Sequence, residues 1–437
     1  MVKDLAARSG PGFDRLEAVF DDERVVANAG VLLPATLAER LGVEALVDAT
    51  VLLAERSAGS RAGAKVLSLV HAMLLGADSI DDCEVLRSGE TSRVLSHRVL
   101  APSTLGTFLR GFTFGHVRQL DRVLAETLCR AWRAGAGPGS GRLVVDVDSF
   151  VVEVHGDQKQ GTGYGYTRKL GYHPIVAVRA DTLETLHIRL RKGSANTQRG
   201  AVRFVDELAA RLRRAGATGE ILLRADSGFW SYKTIAALER HRIHYSIGVT
   251  MQKHVRATVA EIDESSWQPL DDYPPTGIAQ IAQTTLGERR LVVRRTHLVG
   301  PQAALWPDWR YHAFLTDRTD DLALVEREHR QHAVVELAIR DHKDGALRHL
   351  PSGRYAANAA WCVIAALASN LARWTTILGF QQTTPQATAT LRRRLLIVPG
   401  RIVRHGRRAR LRLAARWPWR DAWLACLTRL RALPRLR

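Results

Sequence analysis

The period of the hydrophobic pattern changes near residue 141, and this change limits the folds that the chain can adopt. Before it, apolar residues recur at helical spacing, as in the segments that begin at Pro34 and Ala64. After the Gly- and Pro-rich stretch 134–141, residues 142–154 are β-branched and alternate between apolar and polar, which is typical of a strand. The chain is therefore predicted to have a helical region, residues 1–135, followed by an α/β region.

The predicted elements after residue 141 follow a distinctive order. Three strands come first, then a helix, a strand, a helix and a strand, at 142–154, 173–180, 185–191, 200–214, 219–229, 232–241 and 243–249. This succession predicts a mixed sheet with helices against it. It is also the order of a ribonuclease-H-like fold, so the predicted fold class is α/β with a ribonuclease-H-like core.

The rest of the chain divides into three further predicted parts. The core, 141–252, is interrupted at 253–318 by a β-rich insertion with short strand patterns. It resumes at 319–390 with a long charged helix, Asp320 to Lys343, and then an apolar helix near 355–375. We interpret the apolar helix as buried core, because polar residues interrupt it and it is short for a membrane crossing of about 20 residues.

The positive charge is concentrated at one end of the sequence. Residues 391–437 contain fifteen arginines and a single acid, Asp421, so +14 of the formal net charge of +19 lies in this basic tail. Such a concentration predicts a polyanionic partner, DNA or RNA. An arginine-rich helix encoded by a GC-rich genome is the alternative, and composition does not separate the two.

Cysteine usage and the first residues predict a reducing, cytosolic setting. The four cysteines lie far apart and form no CxxC pair, which excludes a disulfide scaffold or a cysteine zinc site. The first 26 residues are charged throughout and show no apolar core of a signal peptide.

Four acidic residues occur where the predicted fold would bring them together. Asp146 and Asp148 lie two apart on the first strand, Asp226 ends the fourth strand, and Glu336 lies in the charged helix. Carboxylates that converge in this way, with Lys343 nearby, suit two Mg²⁺ ions acting on a phosphodiester. Each acid also has an ordinary explanation, since the aspartates occur in turn signatures and Glu336 could pair with an arginine one turn later.

Other motifs are weaker or missing. His329, His332 and Glu336 share a helix face and could form a metal site of another kind, although the HExxH order is lacking. No GxSxG, P-loop or GxGxxG motif opens a helix, which argues against hydrolase-elbow, P-loop and dinucleotide sites. Trp230 follows the second aspartate and could stack on a flipped base or simply fill the core.

Several spaced motifs together resemble DDE transposases of bacterial insertion sequences, specifically the insertion sequence 1380 family. They are DVDS at 146–149, the block at 155–174, LRKGSANTQRG at 190–200, RADSGF at 224–229, and the pair Glu336 and Lys343. The resemblance covers nearly the whole chain.

The resemblance implies roles for individual residues. Asp148, Asp226 and Glu336 would be the catalytic, metal-binding acids, with Asp146 an open alternative for the first position. Lys343 matches a lysine that binds the transposon-end phosphate, whereas histidines occupy the family's tyrosine and arginine positions. The residues assigned to DNA binding are Lys343, His332, His329, Arg340, Arg404, Arg407 and Arg408.

The implied function is cut-and-paste DNA transposition. Metal-activated water would cleave the 3′ ends of the element, and the freed hydroxyl would attack target DNA, with the second strand released through a hairpin. The resemblance implies two Mg²⁺ ions, for which Mn²⁺ can substitute. It also implies double-stranded DNA as partner, bound by the helical region 1–135 and by the basic tail mainly through phosphates. At least a dimer, a bacterial cytoplasm with nucleoid association, and no membrane are implied as well. The alternatives are a decayed or domesticated DNA-binding protein and a structure-specific nuclease.

Overall fold

The first part of the described chain consists mainly of helices. A computed structural model describes residues 17–53, 60–156, 158–165, 168–273, 277–298, 309–406 and 408–436. After a short strand β1 (Val25–Val26), the helices are α1 (Leu32–Arg40), α2 (Val43–Thr50), α3 (Ala62–Leu75), α4 (Pro102–Arg110) and α5 (Phe114–Ala131). Local sequence explains two of the boundaries: Pro102 begins α4, and Thr113 caps α5 in a capping box with His116.

The second region is built on one nine-stranded sheet. Its strands are β2 (Leu143–Ser149), β6 (Ile175–Arg179), β7 (Thr185–Arg189), β8 (Ile221–Ala225), β9 (His244–Val249), β10 (Gln268–Pro269), β11 (Gly277–Leu286), β12 (Arg289–Leu298) and β13 (Arg310–Thr316). A small sheet beside it contains β3 (Val152–Glu153), β4 (Gly163–Tyr164) and β5 (Leu170–Tyr172). The remaining helices are α6 (Ala201–Ala215), α7 (Tyr232–Arg240), α8 (Lys253–Ala260), α9 (Leu322–Arg330), α10 (Val335–Lys343), α11 (Tyr355–Trp374), α12 (Thr388–Leu391) and α13 (Arg420–Ala432).

The core strands form a mixed sheet, as the succession of elements along the chain predicted. They lie side by side as β7, β6, β2, β8 and β9. β2 runs parallel to β8, and β8 parallel to β9, whereas β6 pairs antiparallel with both β2 and β7. The parallel strands β2, β8 and β9 therefore end at the same edge of the sheet.

The strands of the predicted insertion extend the core sheet. β11 and β12 form a long hairpin whose two-residue turn begins at Gly287, which has φ 63°. β13 returns to pair with β9, with Ala313 opposite Val249. The segment is rich in strands, as expected, but it continues the core sheet instead of forming a separate layer.

Helix α11 lies in the centre of the protein. It contacts α3 and α5 on one side and β7 on the other, and Trp361 and Trp374 are completely buried. Together with its continuation to Phe380 it is long and apolar enough to cross a membrane, but 83% of its most apolar window is buried inside the protein. The N-terminal helices and the sheet thus share one hydrophobic core.

The predicted basic tail is folded. Two strands, β14 (Gly400–His405) and β15 (Arg408–Leu413), form an antiparallel ribbon, and β1 adds to its edge by pairing Val25 with Arg401. Helix α13 follows and packs against α1. Only part of this segment is helical, so the alternative of a simple arginine-rich helix does not describe it.

Candidate active site

Two neighbouring parallel strands place Asp148 and Asp226 side by side. The register of β2 and β8 sets Asp146 opposite Arg224 and Val147 opposite Ala225. Asp148 follows Val147 on β2, and Asp226 follows Ala225 at the end of β8. The two aspartates are therefore neighbours on adjacent strands, which lie about 4.8 Å apart. The fold therefore brings together these two predicted site residues, which lie far apart in the sequence.

The turn after β8 fixes Asp226. Its carboxylate accepts a hydrogen bond from the Gly228 backbone N–H at 3.1 Å and so caps the short 3₁₀ turn Ser227–Phe229. On β9, a Cβ atom at Gly248 would lie 2.9 Å from the Ser227 nitrogen, which is too close. Only glycine at position 248 allows β9 to support the Asp226 turn at this distance.

Glu336 approaches the two aspartates from a helix. It lies in the first turn of α10, which contacts β2, and it is exposed. Asp226 and Glu336 line one open cavity of about 670 Å³ together with His329 and His332. The structure thus places all three predicted acids around the end of β2 and β8.

The predicted long helix from Asp320 to Lys343 is interrupted. α9 ends at Arg330, a 3₁₀ turn covers Gln331–Val334, and α10 follows. The Arg224 guanidinium donates to the backbone carbonyls of Glu328, at 2.5 Å, and Gln331, at 3.3 Å. A side chain inserted among helix carbonyls disturbs the regular hydrogen bonds, which accounts for the break.

Asp146 has a structural role as the buried partner of Arg224. It is completely buried, and its two carboxylate oxygens accept bidentate hydrogen bonds from Arg224, both at 2.7 Å. The Nδ1 atom of His332 lies 3.0 Å from the same carboxylate. Because Asp146 is completely buried and both its oxygens already accept from Arg224, the geometry favours Asp148 over Asp146 as the ligand at the first position.

His329 packs against the sheet. Its ring stacks on Phe314 with a centroid distance of 3.9 Å, and its Nδ1 atom lies 2.8 Å from the Ser246 hydroxyl. Burial, with nearby His332 adding to the effect, lowers the pKa of His329 to about 3. A neutral, stacked ring does not serve as a cationic phosphate ligand, so the expected DNA contact of His329 is not supported. Among the described residues, the ligand atoms of His329, His332 and Glu336 do not all come within 4.8 Å of one another, so a metal site of these three is not supported either.

The electrostatics of the acids favour a divalent cation. Burial raises the pKa of Asp148 to about 6; the charges of Asp226 and Glu336 add to the rise, while the Ser149 backbone N–H and His332 oppose it. Burial also raises the pKa of Asp226. Asp148 and Asp226 therefore offer partly buried carboxylate oxygens that repel each other, which is the type of donor that Mg²⁺ or Mn²⁺ prefers. Glu336 is exposed, and the oxygens of the three acids do not all lie within 4.8 Å of one another in the described chain, so Glu336 would have to approach for one ion to contact all three.

Replacing Asp148 by asparagine should stabilise the metal-free protein at neutral pH. The native state binds the Asp148 proton more tightly than the unfolded chain, since its pKa is raised from 3.8 to about 6. The free energy of unfolding therefore falls as pH rises from about 4 to about 6, and above that range the penalty is about 3 kcal/mol. In EDTA, we expect Asp148→Asn to raise Tm by about 3 to 6 °C at pH 7.5 and much less at pH 5.

The control for this measurement is Asp271→Asn, because Asp271 is exposed. It should leave Tm unchanged at both pH values. A lower Tm for Asp148→Asn than for the wild type at pH 7.5 would contradict the charge repulsion. Added Mg²⁺ should raise Tm of the wild type and have less effect on the variant.

A second group of ionisable side chains, not anticipated from the sequence, joins α5, α6 and β7. Ligand-type atoms of Asp121, His187 and Glu207 lie within 4.8 Å of one another. Arginines already neutralise this group: Arg211 donates to Asp121 at 2.8 Å, and Glu207 pairs with Arg118, Arg189 and Arg203. Burial alone would raise the pKa values of Asp121 and Glu207, but the neighbouring cations and His187 hold both below their usual range. We interpret the group as an ion-pair network and not as a metal centre.

The predicted DNA-binding residues have different surroundings. Arg340 and Lys343 are exposed on α10, and Arg408 is exposed on the ribbon. Arg404 lies 4.0 Å from Glu90, and Arg407 lies outside the described residues. Trp230 is 9% exposed and packs beside Tyr232 and His254, so its position favours the core-filling interpretation.

Comparisons with known proteins extend over nearly the whole chain. The family model described as "Transposase DDE domain group 1" matches residues 12–435. No curated protein matches the sequence. Among solved structures, the "Cryo-EM structure of piggyBac transposase synaptic complex with hairpin DNA" shares 14% identity and a TM-score of 0.46, covering 85% of this chain and 80% of that chain. The matched range of the family model includes the three acids at the end of β2 and β8.

Proposed function

Because this protein belongs to the transposase DDE domain group 1 family, we propose that it moves its own element by cut-and-paste DNA transposition. The adjacent placement of Asp148 and Asp226, with Glu336 across the same cavity, is the observation that supports catalysis at this site. We further propose the bacterial insertion sequence 1380 lineage, action on nucleoid DNA in the cytoplasm, and at least a dimer that holds two element ends.

The three carboxylates would hold Mg²⁺, in our proposal as two ions. When bound, these ions activate the attacking oxygen and neutralise the leaving oxygen of the phosphodiester. The chain itself positions the three carboxylates: Asp148 is fixed by strand β2, Asp226 by its turn, and Glu336 by α10. Arg224 acts behind them: Asp146 holds its guanidinium, which donates to the Glu328 and Gln331 carbonyls before the start of α10.

Helix α10 also offers a basic face toward DNA. Arg340 and Lys343 follow Glu336 at steps of four and seven, so the three residues share one side of the helix. Both cations are exposed and make no ion pair within the described chain. We propose that they bind phosphates beside the scissile bond and align the 3′ hydroxyl for in-line attack on target DNA.

The test is cleavage of labelled duplex DNA that carries the terminal inverted repeat of the element, with Mg²⁺ or Mn²⁺. A transposase nicks at the 3′ end of the repeat and then joins that end to a second DNA. A structure-specific nuclease would instead cut branched DNA without the repeat. Tight binding without any cut in either metal would identify a decayed or domesticated DNA-binding protein and contradict the proposal.

The C-terminal ribbon has one face buried against the protein. Ile402, Leu411 and Leu413 point to this face and pack in a small core with Val26 and Val398. Arg404 also falls on this side by its register, near Glu90. The ribbon is therefore held rigidly, and its other face is free to meet a partner.

The outer face of the ribbon is strongly basic. The register pairs Arg401 with Arg412, Val403 with Arg410, and His405 with Arg408, and directly opposed residues share one face. Arg401 reaches Asp22 at 3.5 Å, whereas Arg408, Arg410 and Arg412 are exposed without an ion pair in the described chain. A two-stranded ribbon fits the DNA major groove, and we propose that this face binds end or target DNA mainly through phosphates.

The triple variant Arg408→Gln, Arg410→Gln, Arg412→Gln should weaken DNA binding and make it less salt-dependent. Each lost phosphate contact reduces the slope of log K against log [salt] by about 0.9, so we expect a decrease of about 2 to 3. The slope is measured by fluorescence anisotropy with a labelled end duplex, at KCl concentrations from about 50 to about 300 mM.

The matched control removes three exposed arginines elsewhere: Arg213, Arg214 and Arg431. It changes the net charge by the same amount but leaves the ribbon intact. If both triple variants lower the slope equally, net charge and not the ribbon governs binding, and the assignment of this surface is wrong.

A further inference from the structure

A second cavity lies where three helices begin. It encloses about 370 Å³ and is lined by the first turns of α5, α6 and α11 and by the end of β7. No side chain caps α6, whereas at α11 the Gln160 side chain accepts a hydrogen bond from the Tyr355 N–H at 3.3 Å. The N-terminal end of a helix carries partial positive charge and unpaired N–H groups, so the uncapped start of α6 beside this cavity favours an anion.

Arg191 in the wall of this cavity is buried without a counter-ion. It is 8% exposed, and its guanidinium donates only to backbone carbonyls: His173 at 2.8 Å, Thr197 at 2.9 Å, Asn196 at 3.1 Å and Arg199 at 3.2 Å. Its Nη2 atom makes no hydrogen bond with the described part of the chain. Burial lowers the pKa of Arg191 to about 10, so it stays charged at neutral pH. A buried cation of this kind is stabilised when an anion binds beside it.

Two further cations at the cavity are exposed. Lys192 and Arg199 line it and have no side-chain partner within the described residues. The other two lining arginines, Arg118 and Arg189, are already paired with Glu207. The unneutralised charge therefore belongs to Arg191, Lys192 and Arg199, which line the same cavity as the beginning of α6.

The remaining walls are apolar and aromatic. Phe114 at the rim is 65% exposed, although large apolar side chains are usually covered. Phe204 and Tyr355 lie deeper in the cavity. An exposed aromatic ring beside a cationic pocket is the arrangement on which a nucleobase stacks while its phosphate is bound.

We propose that this cavity binds a nucleotide, with the phosphate at Arg191, Lys192, Arg199 and the start of α6, and the base against Phe114. The nucleotide is either free in solution or an unpaired nucleotide of the bound DNA. The site is separate from the three carboxylates and does not depend on their activity.

The cavity is connected to the Asp226 turn by the loop 191–199. In this loop the Thr197 hydroxyl lies 3.4 Å from that of Ser149, and the Gln198 amide donates to the Trp230 carbonyl at 2.8 Å. A nucleotide held by Arg191, Lys192 and Arg199 would fix this loop against the catalytic strands. Occupancy of the cavity would thereby stabilise the active-site geometry.

The experiment measures binding of a ribose-labelled fluorescent AMP to the full chain by anisotropy, in EDTA so that no metal binds at the carboxylates. The double variant Lys192→Gln, Arg199→Gln should raise Kd at least tenfold, since two charge-assisted contacts are lost. Phe114→Ala should raise it several-fold. The control, Arg213→Gln with Arg214→Gln, removes the same charge from the other end of α6 and should leave Kd unchanged.

Competition identifies the source of the nucleotide. Displacement of the probe by unlabelled AMP but not by a six-residue oligo-dT indicates a free nucleotide, and displacement by the oligonucleotide indicates a nucleotide within DNA. Either result supports the proposal. It is overturned if binding does not saturate by millimolar concentrations, if the Lys192 and Arg199 substitutions have no effect, or if inorganic phosphate competes as well as AMP.

Folding is checked by Tm of each variant, and Phe114→Ala at an exposed position keeps the test valid if the charge variant is unstable. The metal-dependent cleavage assay is run separately. Failure of the cleavage assay would contradict only the proposed transposase mechanism, and a negative AMP titration would contradict only the proposed nucleotide site.

Discussion

Replacing Asp226 by asparagine should abolish metal-dependent cleavage of the element's end while DNA binding remains. Asparagine can still accept the hydrogen bond from the Gly228 N–H, so the turn after β8 is retained. What is lost is one negative oxygen ligand beside Asp148. We expect the nicking rate to fall about a thousandfold or more, which corresponds to about 4 kcal/mol in the activation barrier.

The measurement is the initial rate of 3′ nicking on labelled end DNA with Mg²⁺, together with the affinity for the same DNA. Asp148→Asn and Glu336→Gln should behave alike, and exposed Asp271→Asn should retain the wild-type rate. If Asp226→Asn keeps more than a tenth of the rate, roughly 1.4 kcal/mol of barrier, the catalytic site lies elsewhere.

Replacing Asp146 by asparagine should strongly lower the free energy of unfolding. Asp146 is completely buried and is the bidentate partner of Arg224. Its loss leaves a buried guanidinium without an opposite charge, which costs about 3 to 5 kcal/mol. Urea unfolding in EDTA at pH 7.5 should show a lower midpoint for Asp146→Asn, in contrast to the higher stability expected for Asp148→Asn.

An apolar replacement of the whole pair separates stability from positioning. Asp146→Leu combined with Arg224→Met should recover much of the lost stability, because well-packed apolar residues can replace a buried ion pair. Nicking should stay low, since Arg224 no longer holds the Glu328 and Gln331 carbonyls that determine where α10 begins. Wild-type stability of Asp146→Asn would contradict the structural role and return Asp146 to the catalytic candidates.

Local patterns were sufficient to predict the core of the fold. The alternation in β2 and the helical periods of α6 and α7 depend on neighbouring residues, and the order of the elements follows from them. The pairing of β13 with β9 is a long-range contact with no local signal, so the continuity of the sheet could not be predicted. In β15 a signal existed: arginine alternates with apolar residues from Arg408 to Leu413, a strand pattern that the high arginine content obscured.

The candidate site could be predicted only in part, because some of its features also depend on long-range contacts. The acids could be found because strand ends and turn residues are visible in sequence. The difference between Asp146 and Asp148 depends on Arg224, which lies 78 residues from Asp146 and meets it only through the strand register. The neutral state of His329 likewise depends on Phe314, a residue of β13, and on its distant pairing. Arg191 gave no sequence signal, because a missing counter-ion is a property of the folded chain.

The pairing of β1 with β14 has a consequence for how the protein is made. Val25 is synthesised about 375 residues before its partner Arg401, and the separation between α1 and its partner helix α13 is longer still. At about 5 to 20 residues per second, this edge stays uncovered for roughly 20 to 75 seconds of translation. The arginine ribbon is synthesised only after all strands of the catalytic sheet, so a nascent chain has little ability to hold DNA through this ribbon before that sheet is complete.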